Sequence, residues 1–420
     1  MTGVVVQETS ARIAGVADAE SFVASTCFKT GPPLLLGVEL EWFVNDTRRP
    51  RTPITAERLA RALGPHAPAT VSPDPVTSVE LPCGSAVTVE PGGQVEISSP
   101  PAPGLTQCVE IAATDLAALA ARLRPDHLAL AGGGVDRHRA PQRILQHPRY
   151  RAMESHFDRA GEDGRTMMCS TAAVQVSVDT GVDPAERWQL LHRLGPVLVA
   201  MFADSAVHDG RLTGWRSTRQ AIWAQVDPSR TRVPCTSGDP REAYSRFALD
   251  AELLCCRRDS GCWDAPHGTT FRDWLQGAFG PPPTYDDLAY HLTTLFPPVR
   301  AQGHLEVRYL DQQAGDSWQV ATAVVAALVG DAQAADLASA AAEPAEDRWE
   351  QAARCALTDP VLDHAARVVA DVTSSALSRL GATPELLDTV DTFFETYTDQ
   401  GRCPADDDLD PGRIRKKGRM

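Results

Sequence analysis

The alternation of apolar and polar residues predicts strands at several places along the chain. Residues 34–44, LLLGVELEWFV, have the length and apolar character of a buried strand, yet they carry Glu39 and Glu41. Side chains two positions apart on a strand point to the same face. We therefore expect two carboxylates on one surface of a sheet.

A β-hairpin is predicted at residues 85–98, where SAVTVE and QVEIS flank the turn sequence Pro-Gly-Gly. With a three-residue loop, Glu90 faces Gln94 across the turn. Glu96 then projects from the same side of the hairpin. Two further carboxylates are thus expected on a single face.

Two more strands are predicted farther along the chain. At 171–179, TAAVQVSVD, valines alternate with polar residues that include Gln175. At 304–311, HLEVRYLD, Glu306 and Arg308 share a face. Both segments therefore place polar or charged side chains within apolar strand sequence.

Apolar residues spaced three and four positions apart predict the helices. This spacing occurs at 105–123 and across 188–202, and helical patterns also fill 317–330 and 361–380. The sequence TYDD at 284–287 can form a capping box at the start of another helix.

Strands and helices are mixed without a regular β-α-β alternation, which favours an α+β fold with a largely antiparallel sheet and helices on its outer face. We expect one domain over residues 1–405, with a core at about 35–330 and a helical part at about 331–400. Residues 406–420, acidic and then basic, are expected to form a flexible tail.

Charge and hydropathy exclude several classes of protein. Forty Lys and Arg residues against fifty-five Asp and Glu residues give a net charge of −15, which repels nucleic acid and anionic membranes. No stretch approaches the roughly 20 apolar residues that cross a bilayer, and the N-terminus lacks the pattern of a secretory signal. We expect a cytoplasmic protein that binds neither nucleic acid nor membrane.

Only three of the forty cationic residues are lysines, at positions 29, 416 and 417. A phosphate-binding Walker loop needs a lysine, and Schiff-base chemistry needs a buried one. Any phosphate bound by this protein is therefore expected to contact arginine or a metal ion.

Glutamates recur on the predicted strand faces, at Glu39, Glu41, Glu90, Glu96 and Glu306. Each one alone is compatible with a half-exposed antiparallel sheet that meets solvent on one side. As a set within apolar strand sequence they need compensating charge, because like charges on neighbouring strands repel and raise one another's pKa. Mg²⁺ provides this compensating charge, since the ion binds carboxylate oxygens and keeps coordination positions for substrate phosphates. A carboxylate-lined sheet with Mg-nucleotide and arginines suits phosphoryl transfer.

Longer motifs add to this picture: GVELEWF, VTVEPGGQVEISSPP, RYRAM, MMCSTAAVQVSVD, GWRSTRQAIWAQVDPSRT and HLTTLFPPVRAQGHLEVRYLD. In order and composition they resemble the glutamate–cysteine ligases, most closely the branch shared by plants and many bacteria. The resemblance covers about residues 35–330 and is strongest to actinobacterial members that supply γ-glutamylcysteine to ergothioneine synthesis. Its EPGGQ and RQAIW segments are far more specific than a lone pair of glutamates.

The resemblance implies a glutamine-synthetase-like sheet on which ATP phosphorylates the γ-carboxylate of L-glutamate, after which the amine of L-cysteine displaces phosphate. Such an acyl phosphate must be shielded from water. Two or three Mg²⁺ ions would be held by the residues that match the family's metal-binding acids, which are Glu39, Glu41, Glu90, Glu96 and Glu306.

It also implies roles for the arginines near the acids. Arg308 matches the arginine that faces the phosphate, and Arg219 matches the one that holds the carboxylate of glutamate, a task suited to a planar bidentate donor. Arg230 is expected at the rim of the nucleotide or substrate site. Arg149 and Tyr150 lie in a segment near the active site, where spacing assigns them no role. For each arginine, an ordinary salt bridge is the alternative.

Gln175 is expected in the substrate site, where another branch of the family has histidine. A neutral amide offers one oxygen and no imidazole, so metal binding at this position stays open. Two other functions also stay open. One is a related ligase that joins glutamate to a different amine, because the selectivity of the acceptor pocket is not visible in the sequence. The other is a non-catalytic relative that binds metal or glutamate, against which the complete set of five acids and two arginines argues.

Overall fold

A computed structural model of the protein describes residues 11–29, 35–72, 78–259 and 261–410. Its strands are β1 Leu35–Asp46, β2 Ala86–Val89, β3 Val95–Ser98, β4 Ala102–Pro103, β5 Leu128–Ala131, β6 Ala173–Val178, β7 Val207–His208, β8 Arg211–Leu212, β9 Val299–Ala301 and β10 Leu305–Asp311. Its α-helices are α1 Val16–Cys27, α2 Ala56–Leu63, α3 Leu105–Leu123, α4 Pro148–Phe157, α5 Asp163–Ser170, α6 Pro184–Arg193, α7 Gly195–Phe202, α8 Thr218–Val226, α9 Pro228–Thr231, α10 Pro240–Asp250, α11 Phe271–Leu275, α12 Tyr285–Leu292, α13 Ser317–Gly330, α14 Ala332–Ala342, α15 Trp349–Cys355, α16 Pro360–Arg379, α17 Pro384–Thr396 and α18 Asp406–Leu409.

Among the described residues the main sheet has eight strands, and their pairings are antiparallel. Six strands follow the order β2-β3-β1-β6-β10-β9, and β4 and β5 also pair with the long strand β1. Glu41 on β1 is opposite Glu96 on β3, and Glu39 is opposite Gln175 on β6. The expected α+β fold with an antiparallel sheet is therefore confirmed, and β1 brings residues from three motifs into register.

The two faces of this sheet differ in character. On one face, Val38, Leu40, Val176 and Val307 are buried in a hydrophobic core, and helices α3 and α13 pack against the central strands. Helix α13 also packs against α14, α16 and α17, so the C-terminal helices share this core. Because side chains alternate along a strand, the glutamates of β1 lie on the other face.

The hairpin of β2 and β3 forms as the sequence predicts. The backbone N–H of Glu90 donates to the carbonyl of Gln94 at 2.8 Å, which closes the three-residue loop. Two glycines make this turn possible. A Cβ added to Gly92 would overlap the backbone of Cys169, and Gly93 has a φ of +92°, a conformation that favours glycine.

Replacing Gly92 with alanine should lower the free energy of unfolding by about 1–3 kcal/mol or more, because the methyl group must displace backbone rather than a flexible side chain. Gly37→Ala in β1 is the control, since a Cβ there meets no atom closer than 3.7 Å. Its effect should stay within about 0.5 kcal/mol. Urea unfolding of both variants measures the difference, and equal stabilities would contradict the close approach at Gly92.

Strand β10 contains a β-bulge. Its register against β6 shifts between Val307 and Leu310, where β10 has one residue more than its partner strand. A bulge bends the strand and redirects the neighbouring side chains. Here Arg308 lies beside Gln175, and its guanidinium group donates a hydrogen bond to the Gln175 side chain.

The single helix expected across 188–202 is wrong, because α6 and α7 are separate helices. Pro196 lacks an N–H and has a fixed φ, which suits the first turn of a new helix. At Gly195, a side chain would collide with the indole ring of Trp349. The helices expected at the other positions form, and the capping box at 284–287 is confirmed.

The acidic end of the chain differs from the flexible tail that was expected from residue 406 onward. Its first residues form α18, and the Arg216 side chain lies 3.1 Å from Asp406 while Arg137 pairs with Asp408. Carboxylates that are paired with arginines on the protein body cannot act as a solvated tail. The basic residues 413–420 lie outside the described residues.

No single helix among the described residues is long and apolar enough to cross a membrane. The pair Ser317–Gly330 and Ala332–Ala345 meets that test of length and composition only when taken together, across a bend of 105°. Most side chains of Ser317–Gly330 are buried in the protein core.

Candidate functional site

A cavity of about 210 Å³ lies on the acidic face of the main sheet. The strands and the β2–β3 turn supply Glu39, Glu41, Glu90, Pro91, Gln94, Glu96, Gln175, Arg300 and Arg308 to its lining. The other lining residues are Arg149, Tyr150, Met153, Met167, Met168, Thr171, Trp223, Thr293 and Phe296. We call it the carboxylate cavity, because four of the five glutamates singled out in the sequence meet in it.

The four glutamates of the carboxylate cavity are poorly compensated by cations. Burial, followed by the charge of Glu90, raises the pKa of Glu41 to about 7. Burial, followed by Glu90 and Glu41, raises the pKa of Glu96 to about 8. Burial and then Glu306 raise the pKa of Glu39 well above its usual value, and burial raises that of Glu90. The protein's own cations therefore leave this cluster short of positive charge.

Hydrogen bonds fix two of these carboxylates in place. Glu41 accepts from the backbone N–H of Ala173 at 2.8 Å and from Nε2 of Gln175 at 3.0 Å. Glu96 accepts from the hydroxyl of Thr88, its cross-strand partner, at 2.6 Å. Each carboxylate offers about four acceptor positions, so both keep lone pairs for a ligand.

Glu306 is the exception among the expected metal ligands. It is completely buried and accepts from Nε and Nη2 of Arg300 at 2.6 and 3.0 Å and from Nη1 of Arg308 at 3.0 Å. Burial alone would raise the pKa of Glu306, but the two guanidinium groups hold it well below its usual range. In this structure Glu306 anchors two arginines and does not line the carboxylate cavity, and its expected role as a metal ligand beside the other four stays a prediction.

Arg300 belongs to the cavity although no motif singled it out. It lies on β9 directly opposite Glu306 on β10 and lines the cavity. A signal is present in VRAQGHLEV, where Gly303 with a φ of +82° lies between two strand-like runs. Such a glycine-containing turn predicts a hairpin, and the hairpin would have paired Arg300 with Glu306.

Gln175 links the acids to Arg308. Its Nε2 donates to Glu41 at 3.0 Å and lies 3.5 Å from an oxygen of Glu96, while its Oε1 accepts from Arg308. In this arrangement Gln175 positions its neighbours, and because an amide oxygen has two lone pairs, its bond to Arg308 leaves metal binding at this position open.

Arg219 on α8 lines a smaller adjoining cavity of about 30 Å³, whose lining also includes Trp223, Phe296 and Arg308. Its Nη2 donates to the backbone carbonyl of Arg308 at 2.7 Å, whereas Nε and Nη1 have no hydrogen-bond partner within the described residues. Burial lowers the pKa of Arg219, and the charge of Asp311 opposes this change. Unpaired buried donors cost free energy, and the carboxylate of a ligand would pair them.

Asp311, the last residue of β10, anchors the helix that carries Arg219. Its carboxylate accepts from the hydroxyls of Ser205 and Ser217 at 2.7 and 2.9 Å. Ser217 also caps α8 by accepting from the N–H of Gln220 at 3.2 Å. No motif indicated this network, and its signal in the sequence is an acid at the end of an apolar strand.

Arg230 does not reach the carboxylate cavity, which corrects its expected place at a nucleotide or substrate rim. Its exposed fraction is 0%. Nε donates to Asp227 at 2.6 Å, Nη1 to the carbonyl of Thr294 at 3.0 Å and Nη2 to the carbonyl of Glu252 at 2.6 Å. With all three nitrogens engaged, Arg230 joins three chain segments and is not available to a ligand.

Arg149 and Tyr150 line the carboxylate cavity from the first turn of α4. Arg149 donates to the hydroxyl and the carbonyl of Thr293 at 2.9 and 2.8 Å, and its guanidinium carbon lies 5.2 Å from the ring centre of Tyr290. Burial, followed by the charge of Glu90, raises the pKa of Tyr150.

The chemistry of the cavity suits a hard divalent cation. In the parts of the chain that the structure describes, no group of three or more His, Cys, Asp or Glu side chains is arranged to hold a metal ion as it stands. The four glutamates of the cavity nevertheless offer only oxygen donors, and burial followed by the charges of neighbouring glutamates raises the pKa of Glu41 and of Glu96. Oxygen donors of this kind fit Mg²⁺.

Comparisons with known proteins show the family of this chain. The model of glutamate–cysteine ligase family 2 matches residues 35–418. The chain is 37% identical over 403 residues to the glutamate–cysteine ligase EgtA of Mycobacterium tuberculosis, which covers 93% of this chain and 88% of that protein. EgtA of Mycolicibacterium smegmatis is 36% identical over 398 residues, covering 93% and 90%. The chloroplastic glutamate–cysteine ligase of Medicago truncatula is 34% identical over 257 residues, or 58% of this chain and 50% of that protein.

Among solved structures, the chain is similar to the glutamate–cysteine ligase of Francisella tularensis in complex with AMP. The TM-score is 0.51 at 11% identity, covering 90% of this chain and 84% of the other. This similarity confirms the glutamine-synthetase-like fold that the motifs implied. Since the family match includes all the strands of the main sheet and nearly the whole of the described chain, the protein belongs to glutamate–cysteine ligase family 2.

Proposed function

We propose that this protein is an ATP-dependent glutamate–cysteine ligase that forms γ-glutamylcysteine through a γ-glutamyl phosphate. The observation that carries the proposal is the carboxylate cavity, where undercompensated glutamates adjoin Arg308 in a chain of this family. ATP is anionic, and both amino acids carry carboxylates. A site that joins them must supply fixed cations and places for metal ions.

Arg219 would hold the α-carboxylate of glutamate. Its Nε and Nη1 are buried without hydrogen-bond partners, and it adjoins Arg308 through the smaller cavity. A planar guanidinium group can grip a carboxylate with two parallel hydrogen bonds. Asp311, 4.0 Å from Nη1, keeps the group charged and oriented.

Arg308 would face the phosphoryl group as it passes from ATP to the γ-carboxylate of glutamate. It lines both the carboxylate cavity and the cavity of Arg219, so it lies between the acids and the proposed glutamate site. Its contacts with Glu306 and Gln175 hold the guanidinium group in place before substrates bind. Preorganised donors of this kind stabilise charge in a transition state without further rearrangement.

Glu39, Glu41, Glu90 and Glu96 would hold Mg²⁺. Glu306, which binds Arg300 and Arg308 in this structure, would complete the set of five acids. Bound Mg²⁺ supplies the positive charge that neutralises the nucleotide phosphates beside the carboxylates.

The apolar part of the cavity would protect the acyl phosphate. Tyr150, Met153, Met168, Trp223 and Phe296 line the same space as the glutamates. An acyl phosphate that is exposed to water hydrolyses before an amine can attack it. With water excluded, the amine of cysteine attacks the acyl carbon, a C–N bond forms, and the C–O bond to phosphate breaks.

Incubation of the pure protein with ATP, Mg²⁺, glutamate and each common amino acid tests the proposal. We expect ADP release with cysteine, and mass spectrometry with fragmentation should identify a γ-linked dipeptide. A reaction without glutamate is the control. An α-linked product, or product without ATP consumption, contradicts the mechanism. ADP formed only with another amine points to a related ligase, and no ADP with any acceptor points to a non-catalytic relative.

The identity of the relatives supports a proposal for the pathway that uses the product. The chain is 37% and 36% identical to two proteins named EgtA, each over 93% of its length. This similarity supports a supply of γ-glutamylcysteine to ergothioneine synthesis. Loss of ergothioneine from cells that lack the protein, with recovery on adding γ-glutamylcysteine, is the expected result.

A further inference from the structure

We infer that the acidic residues near the C-terminal end of the described chain position Arg219 for glutamate, although they line neither of the two cavities. These are residues 403–408, which we call the acidic segment, and they bond to the loop of residues 203–217 between α7 and α8. In this inference Asp406 and its partner Arg216 are positioning residues of the reaction. It rests on the proposed function, because it takes Arg219 to be the group that holds the carboxylate of glutamate.

The 203–217 loop determines where Arg219 lies. Ser205 and Ser217 pair with each other as a β-bridge, and both hydroxyls donate to the carboxylate of Asp311, at 2.7 and 2.9 Å. Ser205 also accepts from the backbone N–H of Arg219 at 3.2 Å, and Asp311 lies 4.0 Å from Nη1 of the same arginine. A shift of this loop would therefore move both the backbone of Arg219 and the carboxylate beside its side chain.

The acidic segment binds the 203–217 loop at both ends. Ala203 is the first residue of the loop, and its carbonyl accepts from the backbone N–H of Ala405 at 2.9 Å. Near the other end, Nε of Arg216 donates to Asp406 at 3.1 Å. The two side chains of this ion pair have exposed fractions of only 24% and 14%, so salt screens it less than a pair on the open surface.

Arg216 connects the acidic segment to the network around Asp311. It precedes Ser217 in the chain, and its carbonyl accepts from the backbone N–H of Ser205 at 3.0 Å. The two serines that hold Asp311 are therefore joined directly to the residue that pairs with Asp406. Without that ion pair, the network loses its outer support.

A second ion pair supports the middle of the same loop. Asp408 accepts from both Nη atoms of Arg137, and the carbonyl of Arg137 accepts from the backbone N–H of Gly210 at 2.8 Å. Two parallel hydrogen bonds between a guanidinium group and a carboxylate fix the orientation of both groups. The acidic segment thus supports the loop at its start, through Arg137 at its middle, and near its end.

The acidic segment is itself fixed to the protein body. Asp407 accepts from the hydroxyl of Tyr397 at 2.9 Å and from Nη2 of Arg402 at 3.0 Å, and Cys403 and Ala405 are completely buried. Since the segment lines neither the carboxylate cavity nor the cavity of Arg219, this geometry allows a positioning role without contact between the segment and a substrate.

The expected effect is selective for glutamate and moderate in size. Small displacements of a binding group weaken its action on a ligand sharply. However, the carbonyl of Ala353 on α15 also accepts from the backbone N–H groups of Arg216 and Ser217, at 3.0 and 2.8 Å. The loop therefore keeps part of its support when the ion pair with the acidic segment is lost.

Steady-state kinetics of Asp406→Asn and Arg216→Gln in the full-length protein tests the inference. Each variant should raise the KM for glutamate by about 3- to 10-fold, whereas kcat and the KM values for ATP and cysteine should change by less than about 2-fold. The double variant should resemble the single variants, because the effects of two residues in one pair are not additive. Asp406→Glu, which keeps the carboxylate, should recover part of the lost affinity.

Arg379→Gln is the matched control. Arg379 binds Asp331 through two hydrogen bonds of 2.7 and 2.9 Å, and neither residue belongs to the acidic segment or the 203–217 loop. The same substitution removes an ion pair there, so its KM values should equal those of the wild type. Thermal unfolding with glutamate gives a second measure, since a ligand of the folded state raises the unfolding temperature. Glutamate should stabilise Arg216→Gln less than the wild type, and Arg379→Gln as much as the wild type.

Each outcome bears on a different claim. An unchanged KM for glutamate, equal increases in all three KM values, or a fall in kcat alone would overturn the positioning role. If Arg216→Gln does not fold, Asp406→Asn decides, because its amide oxygen can still accept from the backbone N–H of Cys403, as Asp406 does at 3.0 Å. These results are read in an enzyme that still joins glutamate to cysteine, so they leave the proposed function intact. A wild-type protein that releases no ADP with any amino acid overturns the proposed function itself.

Discussion

Arg308→Lys should lower kcat by roughly two orders of magnitude, equivalent to about 2.7 kcal/mol, with little change in the KM for glutamate. Nη1 of Arg308 donates to both Gln175 and Glu306, and its guanidinium carbon lies 5.9 Å from the ring centre of Phe296. Lysine keeps the charge but loses the planar fork, so it cannot hold these partners and face a phosphoryl group together. A contact made chiefly in the transition state lowers kcat when it is lost.

Arg219→Lys is the matched comparison for this result. Arg219→Lys should raise the KM for glutamate, because lysine cannot form the two parallel hydrogen bonds that hold the carboxylate in the ground state. The effect on the KM for ATP should be smaller. Thermal unfolding of both variants establishes that each one folds. If Arg308→Lys changes only the glutamate KM while Arg219→Lys changes only kcat, the two roles are reversed. If neither variant differs from the wild type, both arginines are structural.

The sequence predicted the acidic face because the period of a strand is two residues. Glu39 and Glu41 had to share a face wherever the strand lay, and the Pro-Gly-Gly turn fixed Glu90 opposite Gln94. These are local constraints that any partner strand must respect. The meeting of four glutamates in one cavity follows from them once β1 pairs with β3.

What the sequence could not predict depends on contacts between distant segments. The pairing of Arg300 with Glu306 needs the short strand β9, and the bulge in β10 depends on its fit against β6. Arg230 lies in a motif beside Arg219, yet it bonds to Glu252 and Thr294, which are far away in the chain. No periodicity distinguishes an arginine that faces a cavity from one that joins loops.

The same limit applies to Glu306. Glu306 and Arg308 are two positions apart on β10, which predicted that their side chains share a face. The 3.0 Å contact between the two side chains confirms this prediction. The number of cations around that carboxylate could not be predicted from the sequence. Because Arg300 and Arg308 both bind it, its environment is opposite in charge to that of Glu96, although both residues are glutamates on strands of one sheet.

Glu96→Gln should reduce ligase activity by at least about 100-fold, while the metal-free protein stays as stable as the wild type or becomes more stable. Even residues that only orient a metal ligand cost about 10- to 100-fold when they are changed, so a direct ligand should cost more. Glutamine keeps the shape of the side chain, and its amide oxygen can accept from Thr88 as the carboxylate does. Removing one of several repelling carboxylates relieves the repulsion that, after burial, raises the pKa of Glu96 to about 8.

Two measurements separate this effect of Glu96→Gln from unfolding. A ligand that binds the folded state raises the unfolding temperature, so Mg²⁺ should stabilise the wild type more than the variant. Turnover is then followed at limiting Mg²⁺, where a lost ligand weakens metal binding most. Glu110→Gln is the control, since Glu110 is exposed on α3 and should behave as the wild type in both assays. Near-normal turnover of Glu96→Gln at limiting Mg²⁺, together with an unchanged Mg²⁺-dependent shift in unfolding temperature, would show that Glu96 does not bind the metal.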